Sequence, residues 1–211
     1  MSSVYIIEDQ TILRELVCRL VSDMDGFELA GQSGDGLEGL EACKELKPDL
    51  AIVDIMVPSL NGLEIVRLLK KAQPKTKLIV FSGNSSRERV QAALKAGVDG
   101  IVQKDASIDD LETAIRRVMQ GSSYMGSDIL DIMRDLMLNP SAGSELDKLT
   151  TREREILQLV AEGHTTKEVA ARLGVSAKTA DSHRTNVMAK LDLHDVASLT
   201  RFAIANGLVE V

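Results

Sequence analysis

The 211-residue sequence lacks long hydrophobic runs and contains only two cysteines. No apolar segment approaches the roughly 20 residues that a membrane-spanning helix requires. The N-terminal segment MSSVYIIEDQ has no basic residues before its apolar stretch, so we expect no secretory signal. Cys18 and Cys43 stand alone in predicted helices, which favours core packing in a reducing compartment over a disulfide or a metal site. We therefore expect a cytoplasmic protein that contacts no membrane.

The sequence also lacks an excess of basic residues, with a formal net charge of −7 at pH 7. Such a charge argues against a protein that binds nucleic acid over its whole surface. The acidic excess lies mostly in residues 1–144, whereas residues 145–211 are nearly balanced and hold all three histidines. The two parts of the chain are therefore expected to differ in function.

A change of composition separates these two parts. The segment NPSAGSELDK, residues 139–148, mixes Pro, Gly, Ser and Asn and has no apolar period, as is typical of a linker. We predict a first domain over residues 1–121 and a second over residues 148–211. The linker, residues 122–147, is predicted to contain a helix at 127–138, where SDILDIMRDLML has helical period.

Residues 1–120 alternate short apolar runs with longer segments of helical period. This pattern predicts a five-stranded parallel sheet covered by helices on both faces, a doubly wound α/β fold. In such folds ligands bind at the carboxyl ends of the strands. The predicted strands are 4–7, 27–31, 50–54, 77–81 and 100–103.

Polar and charged residues stand at the carboxyl ends of four of these strands. Glu8 and Asp9 follow the first strand, Asp54 ends the third, Ser82 follows the fourth and Lys104 follows the fifth. Parallel strands bring these ends to one edge of the sheet. A buried carboxylate such as Asp54 needs compensation by a cation or by hydrogen bonds. We therefore expect these groups to form one site.

The residue types of this expected site suit phosphoryl chemistry. Asp9 and Asp54 offer the oxygen ligands that Mg²⁺ prefers, and the backbone carbonyl of Met56 is a further candidate ligand. Asp54 is then placed to act as the nucleophile toward a phosphoryl group. Lys104 and the Ser82 hydroxyl would contact the phosphoryl oxygens.

Five separated positions in residues 1–120 agree in order with a known family. Glu8-Asp9, Asp54 with Pro58, Asn61-Gly62, Ser82-Gly83 and Lys104 resemble the receiver domain of two-component response regulators, which has a flavodoxin-like fold. The resemblance implies that Asp54 accepts a phosphoryl group from a sensor histidine kinase, with Mg²⁺ held by Asp9, Asp54 and Glu8.

The sequence departs from the receiver pattern at one position. Receivers commonly carry an aromatic residue three positions before the lysine, and its rotation reports phosphorylation. Here that position is Ile101. We therefore expect the signal to run through Ser82 and the loop and helix that follow it.

Residues 149–209 have no strand pattern and read as four helices. Capping boxes at Thr150-x-x-Glu153 and Thr165-x-x-Glu168 open the first two helices, which stop at Gly163 and Gly174. Ser176 caps a third helix that extends to Leu191, and a fourth runs from about Asp195 to Asn206-Gly207. Two short helices joined through Gly-Val-Ser form a helix-turn-helix arrangement.

The third predicted helix has an apolar face and a polar face. Ala180, Val187 and Leu191 are expected to face inward. The polar face is expected to enter a major groove of double-stranded DNA, with Arg184 and Lys190 at its borders reaching phosphates. The residues predicted to contact DNA are Lys178, Thr179, Asp181, Ser182, Arg184, Thr185 and Lys190.

The second domain resembles the LuxR-type output domain, through Leu149-Thr150-x-Arg152-Glu153, Gly163, Lys167-Glu168-Val169-Ala170 and Thr179-x-x-x-His183. With the receiver, the whole chain resembles the NarL/FixJ class of response regulators. The resemblance implies a four-helix DNA-binding domain that acts as a homodimer. Its last helix would supply the dimer surface, through Ala197, Leu199, Thr200 and Ala203.

The second domain departs from its pattern at Asp181, where such proteins often have a lysine that points into the groove. A carboxylate there repels phosphate and favours the amino group of a cytosine. His183 matches the family pattern but has no partner at metal-ligand spacing, so we interpret it as a packing or phosphate contact.

These observations favour a transcriptional regulator, not an enzyme, whose homodimerisation and DNA binding are controlled by phosphorylation of Asp54. One alternative is a metal-dependent phosphohydrolase, but such enzymes commonly place a second aspartate where this chain has Met56. Another is a phosphorylation-independent DNA-binding regulator that keeps the receiver as a dimerisation module, an alternative that Ile101 leaves open.

Overall fold

The computed structural model describes residues 1–83, 86–138 and 145–209. The chain divides into two compact units, Met1–Ser141 and Ala142–Val211. Within the described ranges, no helix combines the length and the apolar character that a membrane span needs.

The first unit is built on a parallel sheet in the order β2-β1-β3-β4-β5-β6. Five of its strands confirm the strands predicted from apolar runs. The sixth pairs with β5 and was not predicted, because two residues are too short to form a recognisable pattern. The strands are β1 Ser2–Ile7, β2 Phe27–Ser33, β3 Leu50–Asp54, β4 Lys77–Ser82, β5 Gly100–Gln103 and β6 Tyr124–Met125.

Helices connect the strands and cover both faces of the sheet. Alternate strand residues point to opposite faces, so Ile6 and Ile52 pack in one core while Ile7 and Val53 pack in the other. The two cysteines are buried, one in each core, which confirms the prediction of core packing. The helices are α1 Thr11–Asp23, α2 Gly36–Leu46, α3 Gly62–Ala72, α4 Arg87–Ala96, α5 Ile108–Met119 and α6 Ser127–Leu138.

Helix α6 occupies the residues predicted to form a helix within the linker, and it packs as part of the first unit. Its Ile129 is fully buried in a small apolar cluster with Val90 and Ala93 of α4 and Ile101 of β5. Arg87 of α4 also forms an ion pair with Asp135 of α6. With β6, this helix extends the first unit beyond residue 121. Residues 139–144 of the predicted linker lie outside the described residues.

The second unit consists of helices, as predicted. After a short 3₁₀ turn at Glu145–Lys148 come α7 Thr151–Ala161, α8 Thr166–Arg172, α9 Ala177–Leu191 and α10 Val196–Ala205. Both predicted capping boxes are present, with Glu153 and Glu168 each accepting a hydrogen bond from the backbone of its N-cap threonine. Ser176 caps α9, where its hydroxyl accepts a hydrogen bond from Thr179 N.

Candidate functional site

Three carboxylates gather at the carboxyl edge of the sheet. Glu8 and Asp9 follow β1, and Asp54 is the last residue of β3, which pairs directly with β1. One carboxylate oxygen from each residue lies within 4.8 Å of the other two. Glu8 and Asp54 are buried and Asp9 is exposed, so the cluster opens to solvent on one side.

Lys104 lies among these carboxylates. Its ammonium nitrogen is 2.8 Å from Glu8 Oε1 and 2.9 Å from Asp54 Oδ2. Its backbone amide donates to the carbonyl of Ser82 at 3.0 Å, which joins the ends of β5 and β4. Ser82 itself is buried at the end of β4. The edge of the sheet therefore brings together all five residues that stand at the predicted strand ends.

Burial and charge alter the protonation of these groups. Burial raises the pKa of Glu8 to about 7, because the lowering effect of the hydrogen bond from Lys104 is smaller and the Asp54 carboxylate raises it further. Burial also raises the pKa of Asp54, against the lowering influence of Lys104. Burial lowers the pKa of Lys104, but hydrogen bonds to the two carboxylates outweigh burial and raise it. Both buried carboxyls therefore bind a proton more readily than exposed carboxyls do.

The donor set fits a divalent cation with oxygen ligands. Glu8 Oε2 is buried and has no hydrogen-bond partner among the described residues, which is costly unless a cation or water contacts it. The exposed Asp9 completes a set of three carboxylates, a chemistry that suits Mg²⁺. Met56, the predicted carbonyl ligand, lies two residues after Asp54, and its amide donates to Asp54 Oδ1 at 3.1 Å.

The loop between β3 and α3 is held close to Asp54. Asn61 caps α3 by accepting a hydrogen bond from Leu63 N. Gly62 N donates to the carbonyl of Ile55 at 2.9 Å, and a Cβ on Gly62 would lie 2.0 Å from the carbonyl oxygen of Asp54. Only glycine fits at this position, which explains the Asn61-Gly62 pair in the sequence.

Arg14 is a positioning residue that the sequence analysis did not identify. From α1, its guanidinium donates to the carbonyl of Glu8 at 2.6 Å and to that of Asp9 at 3.2 Å. These contacts fix the backbone that carries two of the three carboxylates. The signal for this role in the sequence is the place of Arg14, in the first turns of the helix that follows Glu8-Asp9.

Ile101 fills the position where an aromatic residue was expected. It is 2% exposed and packs against α4 and α6. The side chain is therefore enclosed between elements of the first unit, so it cannot rotate between an exposed and a buried position without displacing α6.

Helix α9 of the second unit presents the polar face predicted for DNA contact. Its inward residues, Ala180, Val187 and Leu191, are buried as predicted. Arg184 is half-buried. The other residues predicted to contact DNA are exposed, namely Lys178, Thr179, Asp181, Ser182, Thr185 and Lys190.

Both cations predicted to reach phosphates form ion pairs within the second unit. Arg184 Nη2 lies 2.7 Å from Asp181 Oδ1 on the same helix. Lys190 Nζ lies 2.7 Å from Glu153 Oε2, in the capping box of α7. Lys178 is exposed at the beginning of the helix. His183 is half-buried, and the one metal-competent group of side chains in the described ranges is the carboxylate cluster of the first unit.

The predicted dimer residues of α10 divide between its two faces. Leu199 and Ala203 are fully buried in the core of the second unit, so the structure corrects their assignment to a surface. Ala197 is exposed and Thr200 is half-buried. The assignment came from the family resemblance, which indicates the helix but not which of its residues face the core of this unit.

Comparisons with known protein families match both units. Residues 4–116 match the model of the response regulator receiver domain. Residues 147–203 match the model of bacterial regulatory proteins of the luxR family. The two matches together cover most of the chain.

Similar proteins match the chain over nearly its whole length. The transcriptional regulatory protein MctR of Rhizobium johnstonii is 31% identical over 98% of this chain and 94% of its own length. The response regulator protein VraR of Staphylococcus aureus is 30% identical over 98% of each chain.

Solved structures share the fold of the chain. An RcsB response regulator structure from Salmonella typhimurium has a TM-score of 0.59 and 24% identity, covering 97% of this chain and 98% of that one. A structure of RcsB bound to a promoter in the presence of the phosphomimetic BeF₃⁻ has a TM-score of 0.61 and 22% identity, covering 95% of this chain and 97% of that one.

Proposed function

The chain belongs to the two-component response regulators that join a receiver domain to a LuxR-type DNA-binding domain, and from that membership we propose that phosphorylation of Asp54 controls its DNA binding. It is a transcriptional regulator by family. The phosphoryl donor we propose is a sensor histidine kinase. The active form we propose is a homodimer on double-stranded promoter DNA.

One observation carries this proposal. A nucleophilic carboxylate, two further carboxylates and an ammonium group meet at one edge of the sheet, with Lys104 within 2.9 Å of both Asp54 and Glu8. A structural ion pair would need only one carboxylate for each ammonium. The additional buried carboxylate, whose Oε2 has no partner in the described part of the chain, supports binding of a cation and a phosphoryl group.

The phosphotransfer step uses the groups of this chain as follows. A carboxylate oxygen of Asp54 forms a bond to phosphorus while the bond from phosphorus to the kinase histidine nitrogen breaks, and the imidazole leaves with the electron pair. Lys104 then pairs with the phosphoryl oxygens, and the Ser82 hydroxyl donates to one of them. Glu8, Asp9, Asp54 and the carbonyl of Met56 would hold Mg²⁺, which neutralises charge on the transferring group.

The second unit supports DNA binding that depends on pairing of two copies. Arg184 forms an ion pair with Asp181, and Lys190 forms one with Glu153. Each copy therefore offers few cationic side chains on α9 for contacts with phosphates. Few phosphate contacts give weak and salt-sensitive binding. Joining two copies on one DNA site makes the second binding event intramolecular, which raises the overall affinity.

The test compares DNA affinity with and without an acyl-phosphate donor and Mg²⁺, in the wild type and in Asp54→Ala. We expect the donor to raise the affinity of the wild type and to leave that of Asp54→Ala unchanged. Asp25→Ala, a change of an exposed aspartate in the turn before β2, is the matched control and should respond like the wild type. Equal affinity in all samples would reject the proposal.

A second candidate function rests on the burial of Ile101. Without a movable aromatic side chain, the receiver could serve as a dimerisation module for a phosphorylation-independent DNA-binding regulator. That candidate predicts tight DNA binding without a donor, unchanged in Asp54→Ala. The same experiment therefore separates the two functions.

A further inference from the structure

Arg89 lies beside the phosphorylation site on the helix that follows Ser82. It is in the first turn of α4, is half-buried, and donates from Nη2 to Met56 Sδ at 3.6 Å. Met56 in turn donates its backbone amide to Asp54 Oδ1 at 3.1 Å. Met56 therefore contacts both the guanidinium of Arg89 and the phosphoacceptor carboxylate.

The charge of the site changes when Asp54 is phosphorylated. With a divalent cation bound, the ionised Glu8, Asp9 and Asp54 are balanced by that cation and Lys104. Phosphorylation replaces the single negative charge of Asp54 by about two. The phosphorylated site therefore has an excess negative charge that Lys104 and the metal do not balance.

A guanidinium beside Met56 can supply the missing charge. A thioether is a weak hydrogen-bond acceptor, whereas an anionic phosphoryl oxygen is a strong one. Arginine also presents several donors in a planar fork that suits a phosphoryl group. An anion on Asp54 would thus be a stronger acceptor for Arg89 than the Met56 thioether.

We propose that Arg89 is a second cationic contact to the phosphoryl group on Asp54, and that this contact couples phosphorylation to α4. The inference rests on the proposed phosphorylation of Asp54 and adds a residue that the receiver pattern does not include. In this role Arg89 contacts the phosphoryl group and connects it to α4. It is neither a nucleophile nor a metal ligand.

The position of α4 gives this contact a consequence within the first unit. Val90, the neighbour of Arg89, packs in one apolar cluster with Ile101 and Ile129. Arg87 pairs with Asp135 of α6. A movement of Arg89 toward the phosphoryl group would therefore shift α4 and, through these contacts, α6. This coupling does not need an aromatic side chain at position 101.

The test measures binding of Mg²⁺ alone and of beryllofluoride, a phosphoryl analogue, in the presence of Mg²⁺, by isothermal titration calorimetry of the full chain. Arg89→Gln should weaken beryllofluoride binding by about tenfold or more, the effect of losing one charge-assisted hydrogen bond. Binding of Mg²⁺ alone should not weaken, because Arg89 adds positive charge beside the cation site. Arg89→Lys should recover part of the loss.

Lys95→Gln provides the matched control, since it removes the same charge from an exposed position in the last turn of the same helix. It should leave both affinities within about twofold of the wild type. Hydrogen exchange adds a second readout, because beryllofluoride should change the protection of α4 and α6 less in Arg89→Gln than in the wild type.

Three results would oppose the inference in distinguishable ways. Wild-type affinity of Arg89→Gln for beryllofluoride would overturn the phosphoryl contact. An equal loss of Mg²⁺ and beryllofluoride binding would assign Arg89 to packing of the Met56 loop instead. Failure of the wild type to bind beryllofluoride would overturn the proposed function, and the inference with it.

Discussion

The ammonium of Lys104 is shared between Glu8 and Asp54, at 2.8 Å and 2.9 Å. The side chain of Lys104 is 12% exposed and those of both carboxylates are 2% exposed. This contact joins the ends of β1, β3 and β5 in a largely buried network. Its loss would leave two neighbouring carboxylates without their cation.

We predict that Lys104→Met lowers the free energy of unfolding of the metal-free protein by about 3 kcal/mol, because removing one partner leaves buried charge uncompensated. Mg²⁺ should restore part of that stability by neutralising the carboxylates. Urea denaturation with and without Mg²⁺ measures both effects. Lys44→Met removes the cation of an exposed pair with Glu41 and should change stability by less than about 1 kcal/mol. Equal losses in the two variants would contradict a special role for the Lys104 network.

The pKa of Glu8 predicts how the stability of the metal-free protein varies with pH. Burial raises this pKa to about 7 from 4.5, so the folded state binds a proton more tightly than the unfolded state between those values. This stability is fully present below pH 4.5 and is lost as the pH rises through about 7. The melting temperature should therefore fall between pH 5 and pH 8.

Glu8→Gln tests this pH dependence. The variant cannot ionise, so its melting temperature should fall less over the same range, although Asp54, whose pKa is also raised, still contributes. Mg²⁺ should stabilise the wild type more than the variant at pH 8, because the variant lacks one carboxylate ligand. Thermal unfolding in buffers of constant ionic strength provides the measurement. Identical pH profiles for the two proteins would remove Glu8 as the cause.

Local signals made much of the fold predictable. Apolar runs identified the five longer strands, and capping boxes such as Thr150 with Glu153 marked the helix starts in the second unit. The parallel sheet then placed the polar strand ends at one edge. The topology alone therefore predicts that Asp54 and Lys104 lie close together.

Contacts between distant elements were less predictable. The ion pair of Lys190 with Glu153 depends on how α9 packs against α7, which no local pattern encodes. The sequence likewise did not indicate that α6 would cover Ile101, because a helical period identifies an apolar side but not its partner. The burial of Leu199 has the same explanation.

Restoring the aromatic residue at position 101 should destabilise the first unit. Ile101 packs against Val90, Ala93 and Ile129, so Ile101→Tyr overfills the cluster at a cost of about 1–3 kcal/mol. Faster hydrogen exchange in α6 should accompany the loss, because the larger side chain displaces Ile129. Ile101→Val, which removes one methylene, should cost about 1 kcal/mol without a comparable effect on α6. A stable Ile101→Tyr with unchanged α6 protection would argue against close packing at this position.

Asp181 should limit DNA affinity in two ways, through its own charge and by holding Arg184. We predict that Asp181→Asn tightens DNA binding several-fold at low salt and steepens the salt dependence by roughly one released counterion per copy. Fluorescence anisotropy over a series of salt concentrations measures both quantities. Asp192→Asn changes the same charge at an exposed position after α9 and should have a smaller effect. Weaker binding by Asp181→Asn would instead indicate that the carboxylate makes a favourable contact with a base.

Substitutions on the exposed and the buried side of α10 should affect dimerisation and folding separately. Ala197 and Ile204 lie on its exposed side, seven residues apart and therefore on one face, whereas Leu199 is fully buried. Ala197→Glu should weaken self-association of the beryllofluoride-bound protein, because it places like charges opposite each other across a symmetric contact. The melting temperature of Ala197→Glu should stay close to that of the wild type.

Leu199→Ala should lower stability by about 2–5 kcal/mol, as expected for truncation of a core leucine. Sedimentation equilibrium and urea denaturation of both variants distinguish the two effects, and unchanged association in Ala197→Glu would exclude this face of α10 from the dimer contact.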